Sequence, residues 1–330
     1  MAGGIILLPS PVCGAYLVVS MKIIFTLTGM LLAAGIWAQD QTPLPALSSA
    51  DWQVALDRNG FGVGLIDNKT GPKTRAALAD FRQARGITNE ADLRADLALD
   101  RVPAFTNYTV SQDDLDQLGA APSDWLEASA VTSMACESLP EILSEKFHLS
   151  EGYLLLLNPG IADWSSTNIL GKSIKVPYLP PWQSRAPAAR LAVDCRQFRL
   201  RALDAEGQII ASFPCSIAMA GKEAPSGELK VVVFAPNPNY TFDPLNYPES
   251  YRAQAIGCKL IIPAGRNNPV GDYWIGLNRP GFGIHGTSHP ETIGSRESHG
   301  CFRLTNWDIL RLSTMITAGT PVEVTGIENE

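Results

Sequence analysis

Between Gly283 and Leu304 the chain reads G-I-H-G-T-S-H-P-E-T-I-G-S-R-E-S-H-G-C-F-R-L, and three of its four histidines, His285, His289 and His299, lie there. Cys301 follows His299 by two positions. A neutral thiol attacks a carbonyl carbon poorly, whereas a thiolate attacks it well, and a free cysteine is mostly protonated near neutral pH. An imidazole within reach can take the thiol proton and later return it to a leaving amine. His285 and His299 are both candidates for that base. On an extended strand His299 and Cys301 face the same side. Gly300 between them permits a tight turn, and a backbone N–H at such a turn can stabilise an oxyanion. His285 is distant in sequence, so its strand must fold back against the Cys301 turn. The chemistry this set suits is acyl transfer through a thioester.

Two other readings bear on the same residues. His285, His289, His299 and Cys301 are all zinc-ligand types. The His285–His289 spacing matches a helical ligand pair, but Gly286 and Pro290 interrupt the helix it would need. Alternatively these are ordinary loop histidines beside a buried cysteine. The crowding of all four among glycines weighs against that. The sequence calls for no metal and no cofactor.

The elements that must position this stretch read as short strands. Arg190–Asp194, residues 197–202 and residues 208–213 suggest a meander, with turn chemistry at Asp204-Ala205-Glu206-Gly207. Further strands are expected at residues 228–234, 259–262, 273–277, 283–285 and 322–324. Residues 237–254 form a long polar and aromatic loop with three prolines, and that length suggests a cover over a site. Thr305-x-x-Asp308 caps a last helix expected to reach about Thr317.

Upstream, Ser48-x-x-Asp51 and Pro72 open two helices, and Ser138-x-x-Glu141 and Ser150 open two more. Thr74, Ala77, Leu78 and Phe81 form the buried stripe of the second helix. His148, at a helix end, is expected to be a cap or a surface residue. The proline-rich segment from Tyr178 to Ala189 reads as a stiff linker.

Apolar residues make up 45% of the 330 and charged residues 18%, values of a globular chain long enough for two or three domains. The net charge of −7 argues against a nucleic-acid surface. Met21-Lys22, an apolar run to Trp37 and then Ala38-Gln39-Asp40 have the form of a secretory signal peptide. It would occupy residues 1–38, with Met21 the suggested true start. An uncleaved anchor is the alternative, and no later segment is apolar enough to span a membrane. Export would place Cys136, Cys195, Cys215, Cys258 and Cys301 in an oxidising compartment, where an odd count leaves one thiol free. Cys301 is the natural free one. Pairing among the other four cannot be read from spacing.

Three resemblances follow from these residues. The run from V-A-L-D-R-N-G-F-G to D-N-K-T-G-P-K-T and F-R resembles the small helical peptidoglycan-binding domain, giving a domain at residues 48–100. The segment L-P-E-I-L-S-E-K-F-H-L-S-E-G-Y-L-L-L-L-N-P-G with the closing G-K-S-I-K-V-P resembles the LysM glycan-binding module. That gives a module at residues 130–178, with its opening strand near Ala130–Met134. I-H-G-T, I-G and S-H-G-C-F-R, with P-S-G-E-L and N-P-V-G-D-Y-W-I-G-L upstream, resemble the catalytic domain of L,D-transpeptidases of the YkuD family, over residues 188–326.

The resemblances imply a multidomain chain: a small helical N-terminal domain, a small α+β LysM-like module and a mainly β, sandwich-like catalytic domain. They imply Cys301 as nucleophile and His285 as general acid/base. His299, Ser298 and Gly300 would shape the pocket and oxyanion site. Arg303 would hold a substrate carboxylate or, equally, orient the loop through an ion pair. His289 matches no catalytic position and is expected at the surface. The implied function is an exported peptidoglycan L,D-transpeptidase of the periplasm or cell wall, whose partners are stem peptides and glycan strands, not nucleic acid. Stable membrane insertion is not expected after signal cleavage, and the sequence does not specify an oligomeric state. An L,D-carboxypeptidase or a non-catalytic wall-binding protein are the alternatives.

Overall fold

A computed structural model describes residues 47–327, apart from 121, 185 and 223–224. The signal peptide and the question of the start codon lie outside the described residues. Among the described residues no helix is long and apolar enough to cross a membrane.

The chain opens with helices α1 (Ser49–Arg58), α2 (Pro72–Arg85) and α3 (Glu90–Asp96). Ser48 and Asp51 close the expected capping box on α1, with the Asp51 carboxylate accepting from the Ser48 N–H at 3.0 Å. Pro72 begins α2, and Thr74, Ala77 and Phe81 are buried along it. Asn68 adopts the left-handed conformation (φ 60°) that its turn requires. Strand β1 (Phe105–Thr109), α4 (Gln112–Leu115), α5 (Trp125–Ala130), α6 (Leu139–Lys146), α7 (Glu151–Leu157), α8 (Ser166–Ile169) and β2 (Ser173–Pro177) follow. Strands β1 and β2 pair antiparallel, with Asn107 opposite Lys175. Five short helices, not two, lie between these strands, and the strand that opens the segment is Phe105–Thr109. The expected strand near Ala130–Met134 is instead the end of helix α5 and an irregular segment. The F-T-N-Y-T run carries the alternating aromatic and β-branched residues that a strand favours, and the long insertion after it hides the pairing.

Residues 188–327 are built on one mixed eight-stranded sheet. Its strands in chain order are β3 (Arg190–Asp194), β4 (Arg199–Leu203), β5 (Ile209–Pro214), β7 (Leu229–Pro236), β10 (Tyr273–Leu277), β11 (Gly283–His285), β13 (Phe302–Arg303) and β14 (Pro321–Thr325). In space they run β13-β11-β10-β7-β14-β3-β4-β5, one continuous sheet that makes up the expected mainly β domain. Short ribbons lie beside it: β6 (Ile217–Ala218) pairs with β12 (Arg296–Ser298), and β8 (Tyr240–Phe242) with β9 (Leu260–Ile262). Helices α9 (Tyr251–Ile256) and α10 (Asn306–Ser313) complete the chain. Helix α10 ends earlier than expected, because Thr314 caps it by donating to the Arg311 carbonyl at 2.7 Å.

Trp52, Leu56, Phe61 and Ile66 share one hydrophobic core with Leu139, Leu143, Leu154 and Ile174, so the helical and α+β parts are a single packed body. That core also takes in Leu203 and Ile209 from the large sheet. The segment from Tyr178 to Ala189 is no free spacer. Trp182 lies under the Arg311 guanidinium, 5.3 Å from ring centre to carbon, and donates to Thr314 at 3.2 Å.

Buried ion pairs lock the same interface. Asp80 on α2 accepts from Arg199 (3.2 Å) and Arg201 (2.8 Å). His148, expected as a helix cap or a surface residue, follows the end of α6 in the left-handed conformation (φ 57°) and is buried, with its ring stacked on Trp307 and its Nδ1 2.8 Å from Asp57. Cys136, Cys195, Cys215, Cys258 and Cys301 are all free thiols, so no pairing among them is present.

Candidate active site

Strand β11 carries His285 and pairs in parallel with β13, so His285 stands opposite Arg303, two residues beyond Cys301. The backbone of Leu304 donates to the His285 carbonyl at 2.9 Å and closes the pairing. This brings the Cys301 turn to the strand end that carries the histidine, as their separation in sequence requires. Trp274, across β10, stacks on the imidazole with ring centres 5.4 Å apart.

The His285 Nδ1 is 2.6 Å from the carbonyl of Gly286. A carbonyl can only accept, so Nδ1 carries the proton and Nε2 is left with its lone pair. Burial, helped by the nearby Arg303 charge, pushes the His285 pKa down to about 4. Burial likewise pushes the Cys301 thiol up to about 11, although a hydrogen bond at Gly283 and the Arg303 charge pull the other way. At neutral pH both groups are therefore uncharged. The site rests as thiol and free base rather than as a thiolate–imidazolium pair.

The turn that presents Cys301 is held by Ser298. This buried hydroxyl donates to the Cys301 carbonyl at 2.5 Å and accepts from the Gly300 N–H at 3.2 Å. Gly300 sits at φ 140°, where side chains are rarely tolerated. The Gly300 N–H is thus engaged, while the Cys301 N–H has no partner among the described residues and is open to an oxyanion. The Cys301 sulfur itself lies 3.6 Å from the Gly281 carbonyl.

His299 points the other way. Its Nε2 is 3.1 Å from Glu249, and its ring meets Tyr247 edge-on at 4.7 Å. It ties the Cys301 turn to the cover loop rather than to the thiol. Arg303 donates to the Glu297 carbonyl at 2.9 Å, which braces the loop before the cysteine. His289 is exposed and lies 3.3 Å from Glu291. Among the described residues no three His, Cys, Asp or Glu side chains converge as metal ligands.

The loop over the site has its own small core. Phe242, Ala253 and Ile262 pack with Ala128 and Met134, and Trp125 from α5 stacks on Phe242 at 4.5 Å. Tyr240 and Tyr247 share a hydroxyl–hydroxyl contact of 2.7 Å. Burial and the neighbouring Tyr247 hydroxyl raise the Tyr240 pKa, while the Arg303 charge pulls the other way. Tyr240 and Tyr247 lie beside the Cys301 turn, a placement that the motif did not reveal. The one signal for them was the aromatic content and length of the loop. A cavity of about 1450 Å3 adjoins the site, lined by Trp125, Glu141, Glu145, Arg266, Thr287 and Arg303 among others. Its walls come from both the N-terminal body and the large sheet.

Part of the chain is similar to known proteins. The family described as YkuD, L,D-transpeptidase catalytic domain, matches residues 188–324. A Bacillus licheniformis protein provisionally named L,D-transpeptidase YkuD is 27% identical over 185 residues, covering 56% of this chain and 92% of its own. An Escherichia coli protein named probable L,D-transpeptidase YcfS is 28% identical over 187 residues, covering 56% of this chain and 58% of its own. The solved structure of an L,D-transpeptidase from Mycobacterium smegmatis shares 18% identity and covers 41% of this chain and 58% of its own. Its TM-score of 0.33 is too low to bear on function.

Proposed function

With residues 188–324 an L,D-transpeptidase catalytic domain of the YkuD family, we propose that the chain remodels peptidoglycan by acyl transfer through Cys301. The observation that carries this reading is the His285 tautomer: Nδ1–H is committed to Gly286, so Nε2 is the only ring atom able to accept a proton. The Cys301 thiol gives its proton to that nitrogen as the sulfur attacks the carbonyl of an L-residue followed by a D-residue. The oxyanion forms against the Cys301 N–H. The imidazolium then protonates the departing amine, leaving a thioester. An amine on a second stem peptide takes the acyl group, its proton passes to His285, and the thiol is restored.

A neutral resting pair suits an enzyme that must keep its thiol unreactive until substrate fills the site. The substrate displaces water, and proton transfer is coupled to attack. Ser298 and Gly300 shape the turn, His299 links it to the cover, and Arg303 braces it from a position where its remaining donors can meet a substrate carboxylate. The cavity beside Arg303 is larger than the ~300–1,000 Å3 usual for small molecules and suits a branched peptide.

We assign the N-terminal body a glycan-binding role and the whole chain an exported location, on the resemblances of residues 48–100 and 130–178 and the form of residues 21–40. Tethering to glycan strands would raise the local concentration of stem peptides.

The test is purified protein incubated with tetrapeptide muropeptides and read by mass. Dimers joined through two diamino acids support transfer, and tripeptides alone would move the assignment to hydrolysis. Products that persist in Cys301→Ala would overturn the reading.

A further inference from the structure

We propose that Asn306 is a positioning residue for His285, holding the general base in its working tautomer. This rests on the reading of His285 as that base.

Asn306 opens helix α10 and is 2% exposed. Its Oδ1 accepts from the backbone N–H of Thr287 at 3.1 Å and of Asp272 at 3.1 Å. The Thr287 N–H belongs to the same peptide unit as the Gly286 carbonyl, which accepts from His285 Nδ1 at 2.6 Å. One peptide plane is thus gripped from both sides, by Asn306 on its N–H and by His285 on its C=O. Hydrogen bonds in such a chain polarise one another, and the plane cannot rotate without losing both. A Cβ on Gly286 or on Gly271 would collide with the Asn306 Oδ1, so both positions are glycine where this amide is seated.

A side-chain amide has one accepting and one donating end, and a flip would present N–H to N–H. The Asn306 Nδ2 faces the Arg266 carbonyl at 3.5 Å. With that acceptor at one end and two N–H donors at the other, only one orientation satisfies all of them. The path Asn306, peptide 286–287, His285 therefore runs from helix α10 to the base. No group on it touches the reacting atoms except His285.

The experiment combines kinetics with 15N NMR of the His285 ring. Wild type is expected to show the Nδ1–H tautomer. In Asn306→Ala, kcat is expected to fall about tenfold or more with KM little changed, and the ring to become a tautomer mixture. Asn306→Leu keeps the volume without an acceptor and should fall similarly, whereas Asn306→Asp keeps an accepting oxygen for both N–H groups and should retain most of the wild-type kcat, a pattern that a purely packing role would not give. Asn306→Leu also serves the test should Asn306→Ala fail to fold. Wild-type kcat with an unchanged tautomer in folded Asn306→Ala or Asn306→Leu would overturn the proposal, as would an Asn306→Asp no better than Asn306→Ala. His285→Ala separates the two claims. If it retains turnover the base assignment fails. If it abolishes turnover while Asn306→Ala does not, the positioning role alone fails.

Discussion

Arg311, on the last helix, is gripped by both carboxylate oxygens of Asp57, on the first, at 3.1 and 2.9 Å. Both side chains are buried, and the positive charges of Arg311 and His148 hold the Asp57 carboxyl far below the usual carboxylate range despite burial, which acts the other way. Removing one partner leaves the other charged and unsatisfied. Asp57→Ala is therefore expected to lower stability by about 3–5 kcal/mol, read by urea denaturation. A chain beginning at residue 181 would lose the partners of Arg199 and Arg311 together and is expected to be insoluble or unfolded. A cooperative native-like melt of that fragment would contradict this.

Replacing the candidate nucleophile tests the chemistry directly. Cys301→Ser keeps the shape of the turn but presents a hydroxyl that is hard to ionise beside this base, so turnover is expected to be nearly lost. A carbapenem should acylate the wild-type protein at Cys301, by family resemblance. Peptide mapping decides, since an adduct on Cys258, the other cysteine with clear exposure, would contradict it.

The two perturbed groups predict an unusual pH profile. The His285 pKa is lowered to about 4, so the free base persists down to that pH. Activity should fall only as pH drops through about 4, when the ring is protonated and cannot accept the thiol proton. The Cys301 pKa is raised to about 11, so alkylation by iodoacetamide should keep rising until about that pH. An acid limb at the ordinary histidine value would contradict the lowered His285 pKa, and alkylation complete by neutral pH would show a preformed thiolate instead.

Gly300 offers a test of the turn. At φ 140° an alanine is strained by about 1–3 kcal/mol, and the relaxation would move Cys301 and the Ser298 contact. Gly300→Ala is expected to reduce kcat strongly while leaving the fold intact by circular dichroism. Unchanged turnover would show that the turn does not set the thiol.

Much of this was legible because it is local. Caps at Ser48, Ser138 and Thr305, the strands at Arg190–Asp194, Tyr273–Leu277 and Gly283–His285, and the Cys301 stretch all declare themselves within a few residues. What was not legible depends on partners far along the chain. Phe105–Thr109 finds β2 only after a long insertion. Asp57, Asp80, His148, Arg199 and Arg311 are types that usually face water, and nothing nearby marks them as buried. Only their mutual pairing makes burial tolerable. The same holds for Tyr240, whose place near Cys301 comes from a loop that Trp125, in another part of the chain, holds down.

The position of β14 carries a consequence for synthesis. This last strand lies inside the sheet, between β7 and β3, rather than at its edge. Until residues 321–325 leave the ribosome, β7 and β3 have no bridge, and the two halves of the sheet present unpaired edges to each other and to any neighbouring chain. The sheet therefore cannot close before residues 321–325 are in place, and a chain truncated before Pro321 would leave it split between β7 and β3.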